Sequence, residues 1–181
     1  MKSFGAHLNC YTKIGDAYHL WVARRSKTKP NFPDLLDNCA AGGLPANTSL
    51  YECAVKEAEE EASIPPSISK AAKFVSFQKT CYHTPHYVKP EVNYIFDLKL
   101  PEKFTPVVND GEAQNFKRVK LDESLELFDD LSEWKPNSMA ITLDFCIRKG
   151  LLREEDDLLE LDRLIRNDFI FKSVDQNEFS L

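Results

Sequence analysis

The stretch Gly42-Gly43-Leu44-Pro45-Ala46-Asn47-Thr48-Ser49, followed by Leu50 to Ile64, constrains this chain most. A glycine pair opens a loop, and the loop delivers a helix with acidic residues at 57, 60 and 61. Positions i, i+3 and i+4 share a helix face, so Glu57, Glu60 and Glu61 are expected to point the same way. Three carboxylates on one face repel each other unless a cation sits among them. A hard divalent ion with oxygen ligands, Mg²⁺ or Mn²⁺, suits such a set. Tyr51, Ala54, Val55, Ala58 and Ala62 form a neighbouring apolar face small enough to lie close against a sheet. Acidic runs of this kind are also common as plain solvated helix faces, so the carboxylates alone do not decide.

The glycine loop and the spacing add what the acids lack. Together they resemble the Nudix box: Gly, five residues, Glu, seven residues, Arg-Glu, an aliphatic, any residue, Glu-Glu, any residue, Gly, aliphatic. With Gly42 first, Lys56-Glu57-Ala58 falls on the Arg-Glu-aliphatic element, Glu60-Glu61 on the acidic pair and Ile64 on the closing aliphatic. Thr48 stands where the pattern has its first Glu, Lys56 replaces Arg, and Ser63 replaces the late Gly. Lys keeps the charge of Arg but not its fork.

The resemblance extends beyond the box. His7-Leu8-Asn9, Trp21 to Ser26, Leu36-Asp37-Asn38, Asp110-Gly111-Glu112, Pro136-Asn137 and Asp144-Phe145 are similar to the fungal thiamine-diphosphate-related Nudix hydrolases, often fused to a thiamine pyrophosphokinase. The chain lacks a further N-terminal region of that subfamily, so it looks like an excised domain or a short form, with a pyrophosphokinase domain a possible companion in a longer protein. The resemblance implies an α/β fold, the Nudix α/β/α sandwich around a mixed β-sheet. It implies Mg²⁺- or Mn²⁺-dependent hydrolysis of a diphosphate linked to an organic moiety, with thiamine diphosphate or an analogue such as oxythiamine diphosphate as substrate. Nucleoside diphosphate derivatives, isoprenyl diphosphates and a non-catalytic Nudix-fold binding module are the alternatives.

Roles follow by position. Glu57, Glu60 and Glu61, with a backbone carbonyl at Ala41 or Gly42, are the expected metal ligands. Lys56, Glu60 and Glu112 are the expected catalytic residues, Glu112 as loop ligand or base and Glu91 as its rival. Arg24, Arg25 and Lys29 form a basic cluster before the box that suits phosphate oxygens or a cationic surface. Trp21, Phe32, Tyr94 and Phe116 suit ring stacking or the core. His83 and His86 read as a substrate-side loop or plain surface.

At 181 residues the chain suits one domain over 1–171, with a polar, loose tail over 172–181. No apolar run approaches the roughly 20 residues of a membrane helix, and the start is no secretory signal. Five unpaired cysteines point to reduced thiols in the cytoplasm or nucleus, and a net charge of −6 argues against general nucleic-acid binding. Strands are expected at Phe4–Thr12, Tyr18–Ala23, Lys73–Gln78, Val92–Leu100 and Ala113–Lys120. Helices are expected at Ser49–Ala62 (capped by Thr48 or Ser49 and stopped by Pro65-Pro66), Leu121–Leu131, Ser138–Lys149 and Glu154–Asn167.

Overall fold

The computed structural model describes residues 3–83, 88–121, 126–151 and 169–171. Its backbone is a mixed sheet. β1 (Ser3–Ile14), β2 (Ala17–Arg25), β3 (Leu36–Asn38), β4 (Ala40–Gly43), β5 (Lys73–His83), β6 (Val88–Lys99), β7 (Ala113–Leu121) and β8 (Phe169–Phe171) make up the strands among the described residues. The order is β3-β2-β1-β6-β5-β8, with β4 beside β1 and β7 beside β2. The β1–β6 and β5–β8 pairs are parallel, and the pairs β1–β2, β1–β4, β2–β3, β2–β7 and β5–β6 are antiparallel.

Alternation along β1 sorts the two faces. Ala6, Leu8 and Cys10 join Ala54, Ala58 and Ala62 of α1 (Leu50–Ala62) in one apolar cluster. The other face takes α3 (Pro136–Arg148), whose Phe145 and Cys146 pack with Leu20, Val22, Leu121 and Trp134. The sheet is thus sandwiched between α1 and α3. A helical turn, α2 (Pro66–Ser69), follows α1.

α1 starts where the sequence places it. Ser49 is the N-cap, its hydroxyl accepting from the Glu52 N–H while the Glu52 carboxylate accepts from the Ser49 N–H at 2.9 Å. It ends before the proline pair. Ser63 turns left-handed at φ 52°, and the Ile64 N–H returns to the Ala58 carbonyl at 2.9 Å. Pro66 opens α2 rather than stopping α1.

The helix expected over Leu121–Leu131 is not the structure's choice. Leu121 ends β7, paired with Tyr18, and the described residues beyond it form two single 3₁₀ turns, Glu126–Phe128 and Leu131–Glu133. Trp134 decides this: it is buried, and its indole N–H donates to the Leu127 carbonyl at 2.9 Å. β8 was not expected at all. The helix expected at Glu154–Asn167, the tail 172–181 and His86 lie outside the described residues. No helix among the described residues is long and apolar enough to cross a membrane.

Candidate metal and diphosphate site

β4 and α1 meet at the glycine strand. A Cβ on Gly42 would stand 2.1–2.3 Å from the Glu57 carboxylate, so only glycine leaves room for that side chain. One turn further along α1, Glu61 folds back and its Oε2 accepts from the Ala41 N–H at 2.8 Å. The loop before β7 closes the site from the third side. The Ser26 N–H donates to the Glu112 carbonyl at 2.8 Å, and the Glu112 N–H donates to Asp110 Oδ1 at 2.8 Å. Carboxylate oxygens of Glu61, Asp110 and Glu112 come within 4.8 Å of one another. Asp110 is the ligand candidate that sequence reading passed over, although its spacing two residues before Glu112 in an Asx turn was visible.

The electrostatics are those of an acidic nest. Burial pushes the Glu61 carboxyl well above its usual range, with Asp37, Glu57 and Glu112 adding to the rise against the Ala41 N–H. Burial also raises Glu57, and Glu60, Glu112 and Asp110 add to it while Lys56 opposes. Glu112 goes the other way, held down first by its hydrogen bond from Lys29. Carboxylates this close cannot all be ionised cheaply, and a divalent cation would remove the repulsion. Oxygen-only donors, a glycine that admits close approach and a partly buried floor fit Mg²⁺ or Mn²⁺.

The other expected site residues are placed differently. Glu60 pairs with Lys56 on the outer side of α1, both about half exposed, and with Tyr51 and Lys70 they line a shallow groove. Arg24 donates to the Asp34 carbonyl at 2.6 Å and to Glu133 at 2.7 Å. Arg25 donates to Asp37 at 2.7 Å and to the carbonyls of Phe32 and Asn31 at 2.8 and 2.9 Å. Both guanidinium groups thereby brace the loop between β2 and β3, where Phe32 and Asp34 have positive φ and leave carbonyls in need of donors. Lys29 points at Glu112. Glu91 pairs with Lys89 at 2.6 Å and accepts from the Ser3 hydroxyl at 3.2 Å, on β6. Trp21 is core, with the Arg118 guanidinium 5.6 Å from its ring centre.

Comparison with known proteins bears on this arrangement. The NUDIX domain profile matches residues 8–140. The chain is 34% identical over 174 residues to Nudix hydrolase 20, chloroplastic, of Arabidopsis thaliana, covering 92% of this chain and 45% of that protein. It is also 34% identical over 181 residues to the uncharacterized protein YJR142W of Saccharomyces cerevisiae, covering 91% and 52%. The chain thus spans about half the length of the curated relatives it matches. Among solved structures, the NUDIX domain of Shewanella oneidensis NrtR complexed with ADP ribose superposes with a TM-score of 0.58 at 12% identity, covering 83% of this chain and 89% of that one. That likeness shows the fold, while the profile and the relatives show more: the chain belongs to the Nudix domain family.

Proposed function

We propose that this domain is a divalent-metal-dependent pyrophosphohydrolase that cleaves a diphosphate joined to an organic group. The observation that carries the reading is the convergence of Glu61, Asp110 and Glu112 beside Glu57, with Gly42 bare against the Glu57 carboxylate. Mg²⁺ or Mn²⁺ held by these oxygens would neutralise phosphate charge and lower the pKa of the attacking water.

The chain's own groups divide the remaining work. The Ala41 N–H fixes Glu61 against the glycine strand. Lys29 keeps Glu112 ionised, which suits it to hold a cation more than to take up a proton. Glu57, raised by burial, is better matched to accept the proton of the attacking water. Glu60 and Lys56 face outward as a pair, available to the departing side of the substrate.

Resemblance favours thiamine diphosphate, or an analogue such as oxythiamine diphosphate, as substrate, giving the monophosphate and phosphate. A nucleoside diphosphate derivative is the second reading, supported by the fold's likeness to a domain solved with ADP ribose. A hydrolysis screen with and without Mg²⁺ over thiamine diphosphate, oxythiamine diphosphate, ADP-ribose and nucleoside triphosphates tests both. The expected result is metal-dependent turnover with kcat/KM highest for the thiamine compounds. Better use of ADP-ribose moves the substrate to the second reading, and no metal-dependent turnover of any diphosphate overturns the hydrolase itself.

A further inference from the structure

Lys29 sets its ammonium against the carboxylate nest, in ion contact with Glu112. Its backbone fixes where that charge can stand. The Lys29 N–H donates to the Ser26 carbonyl at 3.2 Å, closing a tight turn, and the Ser26 N–H donates to the Glu112 carbonyl at 2.8 Å. The turn that carries Lys29 is thereby stapled to the loop that carries Asp110 and Glu112. The Lys29 side chain is mostly covered, at 23% exposed, whereas that of Glu112 is 46% exposed.

Among the described residues, three donors occupy oxygens of the nest, and they differ in their freedom to leave. The Ala41 N–H holds Glu61 Oε2 and the Glu112 N–H holds Asp110 Oδ1, both at 2.8 Å. These are backbone groups of β4 and of the loop itself, and they stay where the chain puts them. Lys29 holds Glu112 Oε2 from the end of a flexible four-carbon stem. An ammonium carries three donors, and Glu112 is its one acceptor among the described residues. The neighbouring cations are committed more heavily, because Arg24 and Arg25 each engage a carboxylate and loop carbonyls together. Of this basic cluster, Lys29 is the member that is both at the nest and able to change partner.

We propose that Lys29 is a placeholder for the divalent ion at Glu112 and becomes a ligand of the substrate's diphosphate once that ion has entered. The proposal rests on the hydrolase reading of the nest. Without an ion, Lys29 supplies positive charge that the crowded carboxylates need. An ion held by Glu61, Asp110 and Glu112 brings two positive charges to the carboxylate that Lys29 holds. That weakens the pull of Glu112 on the ammonium and sets like charges near each other. A diphosphate drawn to the ion then offers oxygens to the ammonium, which serves as a compact point charge. Lys29 therefore opposes the ion alone and favours the ion with diphosphate, which couples the two binding events. A fixed brace would act with the other sign on the metal, since its loss would loosen Glu112 and weaken the ion's hold.

The test compares wild type, Lys29→Met and Lys29→Arg. Calorimetry gives the affinity for Mg²⁺ alone and for the uncleavable analogue methylenediphosphonate at saturating Mg²⁺, and melting temperature is read without metal. Lys29→Met should bind Mg²⁺ alone about 3- to 10-fold more tightly, the scale of one partly screened like charge nearby. It should bind the diphosphonate about 10- to 100-fold more weakly, the scale of a lost hydrogen bond to a charged group. Lys29→Arg, which keeps the charge, should stay within about threefold of wild type on both. The melting temperature of Lys29→Met should change little, because the pair is partly exposed. Mg²⁺ affinity that is unchanged or weakened in Lys29→Met makes the lysine a brace and overturns the proposal, as does undiminished diphosphonate affinity. The two opposite shifts without metal-dependent turnover of any diphosphate would instead sink the hydrolase reading and leave the exchange standing.

Discussion

At Gly42 a single methyl group would displace the Glu57 carboxylate. Alanine there would place its Cβ 2.1–2.3 Å from the Glu57 carboxylate, and the carboxylate must move. A displacement of about 1 Å at a catalytic group can lower the rate about 10²-fold. Gly42→Ala should therefore lose roughly that much in kcat while circular dichroism and melting temperature change little. A variant as active as wild type would mean that Glu57 takes no part. Ser63 makes the opposite case, because it holds φ 52° at the end of α1, where its family pattern has glycine. A non-glycine residue in this region is strained, so Ser63→Gly should raise stability by about 0.5–1 kcal/mol, read as a rise of about 1–4 °C in melting temperature. A fall would show that the serine side chain contributes more than its strain costs.

The joint between β3 and α3 is an ion cluster rather than an apolar contact. Asp37 on β3 is paired with Arg25 of β2 at 2.7 Å and with Lys135 at 3.0 Å, and accepts from the Ser138 hydroxyl of α3. Burial alone would raise its pKa, but Lys135 and Arg25 overcome that and hold the carboxyl well below the usual range. Removing one partner of a buried pair leaves a stranded charge and costs about 3–5 kcal/mol. Arg25→Met should thus be destabilised in urea unfolding by less than that full figure, since the loop carbonyls of Asn31 and Phe32 lose their donor while Lys135 and the Ser138 hydroxyl still pair with Asp37. A loss under about 1 kcal/mol would place Arg25 with exposed ion pairs and reopen a phosphate role for it. A second such joint binds α3 to β6, where Arg148 reaches Asp97 at 2.6 Å and Asp144 at 2.7 Å.

Across the whole molecule these joints make the layer between sheet and α3 polar, and that layer sets the acid limit of the fold. His7 lies in it, its Nδ1 2.9 Å from Asn38 Oδ1, and burial with the nearby Lys135 lowers its pKa from 6.5 to about 4. The unfolded chain takes up a proton at His7 near pH 6.5, whereas the folded chain does so only near pH 4. Stability on this account is complete above about pH 6.5, falls as pH drops towards 4, and levels below that. The shift of about 2.5 units corresponds to roughly 3 kcal/mol across the window. Urea midpoints measured from pH 7.5 to 4 should show this slope, and His7→Asn should flatten it. An equal slope in the variant would assign the acid sensitivity to other groups. The carboxylate nest makes a separate prediction at the same scale. Because Glu57 and Glu61 are raised in the metal-free protein, Mg²⁺ binding should release protons and tighten as pH rises, which calorimetry in buffers of different ionisation enthalpy measures directly. Metal binding with no proton release would remove the acidic nest as the metal site.

What could be read from the amino-acid order was local. The Ser49–Glu52 capping box, the period of α1 and the alternation of β6 act through residues two to four apart, so the sequence carries them whole. The carboxylates of α1 and the Asp110–Glu112 turn were equally visible, each as a separate feature. Tertiary structure decided which of them meet. Arg25 pairs with Asp37, Arg24 with Glu133 and Lys29 with Glu112, so the three basic residues expected at phosphate have protein anions beside them, because strand and loop packing set their nearest anion. The outward Lys56–Glu60 pair and the addition of β8 to the sheet edge likewise depend on register between distant strands. Such contacts join residues up to about a hundred positions apart, where loop closure and burial rather than local preference determine the partner.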